Sequence, residues 1–258
     1  MRKIFLIFSL LTTSVGYSQN KIWLIGTAHK EEIFINPDSL TAALNKVQPD
    51  LILLELEDGH FTKDFNFNTA KYPLEDFLNG NENIASYKYQ QQNGTQLRPF
   101  DINGRHEFYQ KEKYHEQENK MFGEMLNLYK NNKFSESCKA DFGILLSALS
   151  NYSELNFSSL REANSDVATK FHALKNKINF ELMISIIKRT EELEMWLDFT
   201  ELRKEYWDKR NQVMAKNIIK YANEFKGRKI VVMVGNDHKY VLLEILKKGG
   251  FEAKNYYE

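Results

Sequence analysis

The stretch Asp50-Leu-Ile-Leu-Leu-Glu-Leu-Glu57 decides the fold class. Its apolar run has no polar alternation, so both faces of the strand it forms must be covered, as in parallel sheets flanked by helices. Upstream, Lys21-Ile-Trp-Leu-Ile25 is a second short apolar run, ended by Gly26. Between the two, Pro37 suits the first turn of a helix, and Leu40, Ala43, Leu44 and Val47 recur at helical spacing before Pro49 stops it. Strand, helix and strand in about forty residues make a βαβ unit with a right-handed crossover.

Further along, Asp58 to Asn79 show no clear period and are expected to form a mobile loop. A short helix near Ile84 to Gln91 and a turn at Asn93-Gly94 lead to a third strand, Gln96 to Asp101. All four prolines (Pro37, Pro49, Pro73 and Pro99) precede residue 100, which leaves the rest free to run in long helices. From Arg105 to Phe225 charged residues alternate with Leu, Ile, Met, Phe and Tyr at helical spacing, which predicts a long helical insertion, about 105–205, and one more helix from Glu205 to Phe225. Lys229-Ile-Val-Val-Met-Val234 returns to a buried strand. A helix over Lys239 to Lys248 closes at Gly249-Gly250, and an edge strand is expected near Phe251 to Tyr256. The expected class is α/β: a mainly parallel central sheet flanked by helices, with a long helical insertion.

Met1 to Ser18 stand apart. Arg2 and Lys3 precede an apolar core, Ile4 to Leu11, and small residues at Gly16 and Ser18 precede Gln19. This is the pattern of a cleaved signal peptide, with an apolar run too short to span a bilayer. No cysteine near the cleavage point would carry a lipid. The expectation is a secreted or periplasmic mature chain, residues 19–258, with no integral membrane anchor. Lys plus Arg and Asp plus Glu are 35 each, so no global field favours nucleic acid. The single cysteine, Cys138, excludes an intrachain disulfide framework and any cysteine-based zinc cage.

Two segments share one design: Lys21-Ile-Trp-Leu-Ile-Gly-Thr-Ala-His29 and Lys229-Ile-Val-Val-Met-Val-Gly-Asn-Asp-His238. In each a lysine opens an apolar strand that ends in G-x-x-H, so the histidine arrives just outside the carboxyl edge, where open parallel sheets bind ligands. Glu55 and Glu57 lie two apart in an apolar strand and share one face, and Asp101 closes the third strand. Two imidazoles and a carboxylate can hold a catalytic divalent metal, which makes His29, Glu55 and His238 the candidate ligands for Zn, Mn, Co or Fe. Arg210 sits in the apolar stripe of Trp207, Met214, Ile218, Tyr221 and Phe225, bordered by Asn211. An inward guanidinium must meet an acid such as Glu55 or Asp101, a carbonyl or a bound anionic group. His106 and His115 read as exposed helix residues, His60 and His172 as solvated or packed, and Cys138 as structural.

These residues resemble the TraB/PrgY/GumN family, which includes the Tiki proteases. The resemblance rests on Gly26-Thr-Ala-His29, Pro49-Asp50-Leu-Ile-Leu-Leu-Glu55-Leu-Glu57, Arg210-Asn211-Gln-Val-Met214-Ala215 and Gly235-Asn-Asp-His238, in that order. It implies a metal-dependent hydrolytic site on an α/β domain, with His29, Glu55 and His238 central and Arg210 and Asn211 in support. Asn236-Asp237 depart from the small residue that commonly precedes the second histidine, and no family motif falls in the helical middle. The expected activity is that of an exported metal-dependent hydrolase acting on a peptide or small-molecule substrate. Glu55 would be third ligand or general base, and Arg210 would bind the developing oxyanion or a substrate carboxylate. The alternatives are a non-catalytic peptide- or ligand-binding protein and a metal or haem carrier.

Overall fold

Lys229–Gly235, with every residue from Ile230 to Val234 buried, is the middle strand of a five-stranded parallel sheet in the computed structural model. The structure describes residues 21–28, 33–153 and 157–258; the expected signal peptide and His29 lie outside the described residues. The strands are β1 (Lys21–Thr27), β2 (Leu51–Leu54), β3 (Gln96–Pro99), β4 (Lys229–Gly235) and β5 (Ala253–Asn255), in the order β3-β2-β4-β1-β5. The helices are α1 (Pro37–Val47), α2 (Leu74–Phe77), α3 (Asn81–Asn93), α4 (Arg105–Lys111), α5 (Tyr114–Lys130), α6 (Glu136–Ser153), α7 (Leu160–Ala163), α8 (Asp166–Lys177), α9 (Met183–Lys188), α10 (Leu197–Glu224) and α11 (Asn236–Lys248).

Successive strand residues face opposite sides. Ile25, Ile52, Leu54, Val231 and Met233 pack with Leu40 and Leu44 of α1 and Ala85 and Tyr89 of α3. Ile22, Leu24, Leu51, Leu53, Val232 and Val234 pack with Met214 and Ile218 of α10 and Leu242 and Leu246 of α11. The chain thus moves from β1 through β2 to β3 with its helices on one face. It then moves from β4 to β5 in the opposite direction with α11 on the other face. Right-handed crossovers require that arrangement. β1 and β2 are not neighbours, since β4 pairs with both.

The α/β class, the parallel sheet and the helical insertion stand as the sequence indicates. Boundaries differ. β2 ends at Leu54, so Glu55 and Glu57 follow the strand rather than sharing a face within it. α11 begins at Asn236, which puts His238 in a helical first turn. The segment expected to be a mobile loop is anchored: Phe61, Phe67 and Phe77 are buried, with Phe67 stacked on Phe77. Aromatic rings spaced irregularly along the chain make one cluster that no periodicity reveals.

The insertion builds its own core from Met121, Met125, Phe142, Leu145, Ile186 and Trp196, with Cys138 buried among them. α10 joins the two cores. Phe199 near its start packs into the insertion, while Met214 to Ala222 pack under the sheet. Among the described residues, no helix is long and apolar enough to cross a membrane.

Candidate functional site

Glu55 and Asp101 come just past β2 and β3, at the carboxyl edge of neighbouring strands. Leu54 and Leu56 continue the backbone pairing irregularly: their carbonyls accept from Phe100 and Asp101 at 3.0 and 3.1 Å. The two carboxylates are thereby held side by side over the sheet. Arg210, on the face of α10 that packs against the sheet, reaches both. Its Nε donates to Asp101 Oδ1 at 2.8 Å and its Nη2 to Asp101 Oδ2 at 2.9 Å and to Glu55 Oε1. Glu55 Oε2 accepts from the Gly235 N–H at 2.8 Å, which ties β2 to the end of β4. Arg105, four residues after Asp101, adds Nη1 to Asp101 Oδ2 at 2.9 Å and lies 3.9 Å from Glu55 Oε1. Two carboxylates and two guanidiniums thus balance in a site where Glu55, Asp101 and Arg210 are buried.

His238 completes the cluster from α11. Asn211 Nδ2 donates to the Trp207 carbonyl at 2.8 Å, so its Oδ1 faces His238 Nδ1, also at 2.8 Å. That bond puts the imidazole proton on Nδ1, and Nε2 accepts from Arg210 Nη1 at 3.1 Å. The Trp207 ring stacks on the imidazole at 4.1 Å. Burial, reinforced by Arg210 and opposed by Glu55, pushes the His238 pKa down to about 4, so the ring is neutral at neutral pH. For Arg210 burial acts in the lowering direction, but Glu55 and Asp101 outweigh it and its pKa is raised.

The residues around this cluster are equally determined. Asp237 meets Lys175 Nζ at 2.5 Å and His172 Nδ1 at 2.8 Å, both from α8, and Asn176 donates to its backbone carbonyl at 3.0 Å. Burial alone would raise the Asp237 pKa, yet His172 and Lys175 bring it down to about 2. The charge that precedes His238 is therefore matched by the insertion. On the other side, Asn164 closes the end of β1: its Oδ1 accepts from the Gly26 N–H at 2.6 Å, and its Nδ2 donates to the Gly26 carbonyl at 3.0 Å. Lys239 Nζ donates to Asn164 Oδ1 at 2.8 Å and to Asn255 Oδ1 at 2.6 Å. A Cβ on Gly26 would lie 2.1 Å from Asn236 Oδ1, which explains glycine where β1 meets the start of α11.

Of the sequence candidates, Glu55, Arg210, Asn211 and His238 converge. His29 lies outside the described residues; β1, which leads to it, pairs Gly26 with Val234 and Thr27 with Gly235, so the glycines of the two G-x-x-H segments stand one residue apart in register on neighbouring strands. Glu57 instead accepts from the Gly104 N–H at 2.7 Å and supports the turn into α4. Asp101 and Arg105 are two further members of the cluster. Asp101, which the sequence marks as a strand-end carboxylate and a candidate partner of Arg210, holds both arginines. Arg105 carries no helical signal toward Asp101, because α4 starts at Arg105 itself; the turn before that helix brings the two together. Tyr206, one turn before Arg210, has a buried hydroxyl with no hydrogen-bond partner among the described residues, and burial pushes its pKa up to about 12. His106 and His115 are exposed, as their sequence suggests.

A cleft of about 380 Å³ opens beside the cluster, lined by Glu55, Asp76, Asn79, Glu82 and Arg105. A divalent ion needs donor lone pairs at about 2.0–2.2 Å. Glu55 Oε1 and His238 Nε2 are 3.9 Å apart, and Arg210 donates to both. Among the described residues no group of three His, Cys, Asp or Glu is placed to hold a metal ion. In this arrangement the described residues do not fit one, because a guanidinium occupies the lone pairs an ion would need. Comparisons with known proteins found no matching family model, no matching curated protein and no matching solved structure.

Proposed function

We propose that the chain is a hydrolase acting on a peptide or other acyl substrate in the cleft beside Glu55 and Arg105. The observation that carries this reading is the convergence of Glu55, Asp101, Arg210 and His238, from four distant segments, at the carboxyl edge where parallel sheets bind ligands. In this reading Arg105, with its side chain 27% exposed, binds the substrate carbonyl oxygen as charge develops on it. Glu55, which lines the cleft, accepts the proton of the attacking water and returns it to the leaving amine or alkoxide as the acyl bond breaks. Arg210, His238 and Asn211 hold that carboxylate in place. Zn, Mn, Co or Fe belongs to the proposal only with His29 as a further donor and Arg210 withdrawn from Glu55 Oε1 and His238 Nε2.

The test is turnover of a peptide and ester library by protein purified without chelator, with elemental analysis of the same sample. Glu55→Gln should lower turnover roughly a hundredfold or more while the chain stays folded. No turnover by the wild type, with or without added divalent metal, sinks the hydrolase reading. A second reading, binding without turnover, draws on the internal bonds that already engage Glu55 and His238. Saturable peptide binding without product would favour it.

Export is part of the proposal and rests on residues 1–18 alone. The secreted protein should begin near Gln19. Mass spectrometry of exported protein that retains Met1 would reject it.

A further inference from the structure

β3 is an edge strand of the sheet, and Phe65, within the loop of residues 61–67, packs on its Arg98. Phe61 and Phe67 pair across this loop and are both buried. Within it, Thr62 N–H donates to the Asn66 carbonyl at 2.8 Å and Phe65 N–H to the Thr62 carbonyl at 3.0 Å. Phe65 has a φ of 57°, in the left-handed region that a bulky residue rarely occupies. Strain of this kind persists only where surrounding contacts hold it.

The held ring lies against Arg98 of β3, with the guanidinium carbon 3.7 Å from its centroid, and Phe225 stands 5.2 Å away. Arg98 is 8% exposed. Its Nη1 donates to the Leu97 carbonyl and its Nη2 to Gln96 Oε1, while its buried Nε has no partner among the described residues. Burial lowers its pKa, with Tyr221 and Glu224 opposing only as neighbouring groups. A buried cation that no carboxylate pairs is costly. With aromatic rings against it and two of its nitrogens already donating, its remaining N–H bonds lie in the guanidinium plane, the geometry that matches a carboxylate or phosphate. A cavity of about 480 Å³ adjoins Arg98, lined also by Lys63, Asn66, Gln90 and Thr95, with Asp64 as its one carboxylate.

We propose that this cavity is a binding site for an oxyanion-bearing small molecule, with Arg98 as the receiving charge and Phe65 as the ring that holds it in place. The site is separate from the carboxyl-edge cluster and does not depend on the hydrolase reading. The ligand's anionic group replaces the missing counter-charge.

The test is calorimetric titration and thermal melting of the full chain with inorganic phosphate and, separately, acetate, at ionic strength held constant with chloride. Saturable binding of either, with a raised melting temperature, is expected. Phosphate alone names a phosphorylated ligand and acetate alone a carboxylate. Arg98→Met should weaken binding at least tenfold without lowering the melting temperature in chloride, since it removes an unpaired buried cation. If that variant fails to fold, Phe65→Ala decides: binding weakened threefold or more supports the site, and unchanged binding overturns it. No saturable effect of either anion on the wild type, or wild-type affinity in folded Arg98→Met, also overturns it.

Discussion

Arg210 is the buried cation that joins Glu55, Asp101 and His238, with Arg105 reaching the two carboxylates from the cleft side. Glu55 and Asp101 are buried, and Arg210 donates to both as well as to His238. Arg210→Ala should therefore cost about 3–5 kcal/mol, the usual loss when one partner of a buried pair is removed. Arg210→Lys should recover little of it, because a single ammonium cannot reproduce a planar fork on three partners. Urea unfolding of both variants is the measurement, and a lysine variant as stable as the wild type would contradict the fork argument. His238 adds a pH dependence. Its pKa is about 4 in the folded chain against an ordinary 6.5, so between these values the unfolded state binds more protons. Stability should be complete above pH 6.5 and fall as the pH drops toward 4, by about 3 kcal/mol in all. His238→Gln should flatten that slope in urea unfolding at pH 7.5 and pH 4.5.

At the scale of elements, the start of α11 is where three parts of the chain meet. Its Asn236 packs against Gly26 of β1, its Asp237 is gripped by α8, and its His238 enters the cluster. Gly26→Ala would set a methyl group 2.1 Å from Asn236 Oδ1, so it should cost about 1–3 kcal/mol as an overpacked site. It should also disturb His238, visible as a change in the imidazole resonances by NMR. Asp237→Asn should loosen α8 from α11 and speed amide exchange in Asp166–Lys177. Unchanged exchange there would mean that apolar packing alone docks the insertion. The Asp237 pKa of about 2 lies below the ordinary 3.8, so its contribution is present above pH 3.8 and is lost as the pH falls through 2.

For the whole molecule, α10 is the shared beam between the insertion's core and the sheet's core. Phe199 lies in one and Met214 in the other, with Arg210 between them. A single cooperative unfolding transition is expected, followed by Trp196 and Trp207 fluorescence and by circular dichroism. Lys209→Pro, at an exposed position in mid-helix, should cost about 3 kcal/mol or more and split that transition. One unsplit transition in that variant would show that other contacts, such as α8 on α11, suffice to couple the two cores.

The apolar strands, the glycines that end them and the helical run after residue 100 are legible in the sequence because each is set by neighbours a few positions apart. Glu55, Arg210, Asn211 and His238 were legible as candidates for the same reason, from residue type and local spacing. The sequence also offers Glu55 and Asp101 as partners for Arg210, but it does not choose them over a carbonyl or a bound anion, nor bring His238 to the same guanidinium. Glu55 and Arg210 are 155 residues apart, and their bond exists because β4 inserts between β1 and β2 and α10 packs beneath them. The burial of Phe61, Phe67 and Phe77, the grip of α8 on Asp237 and the pairing of Asn164 with Gly26 arise in the same way. Sequence periodicity encodes which face of an element is apolar. It does not encode which distant element covers that face, because that choice is made by packing and by the pairing of buried charges once the chain has folded.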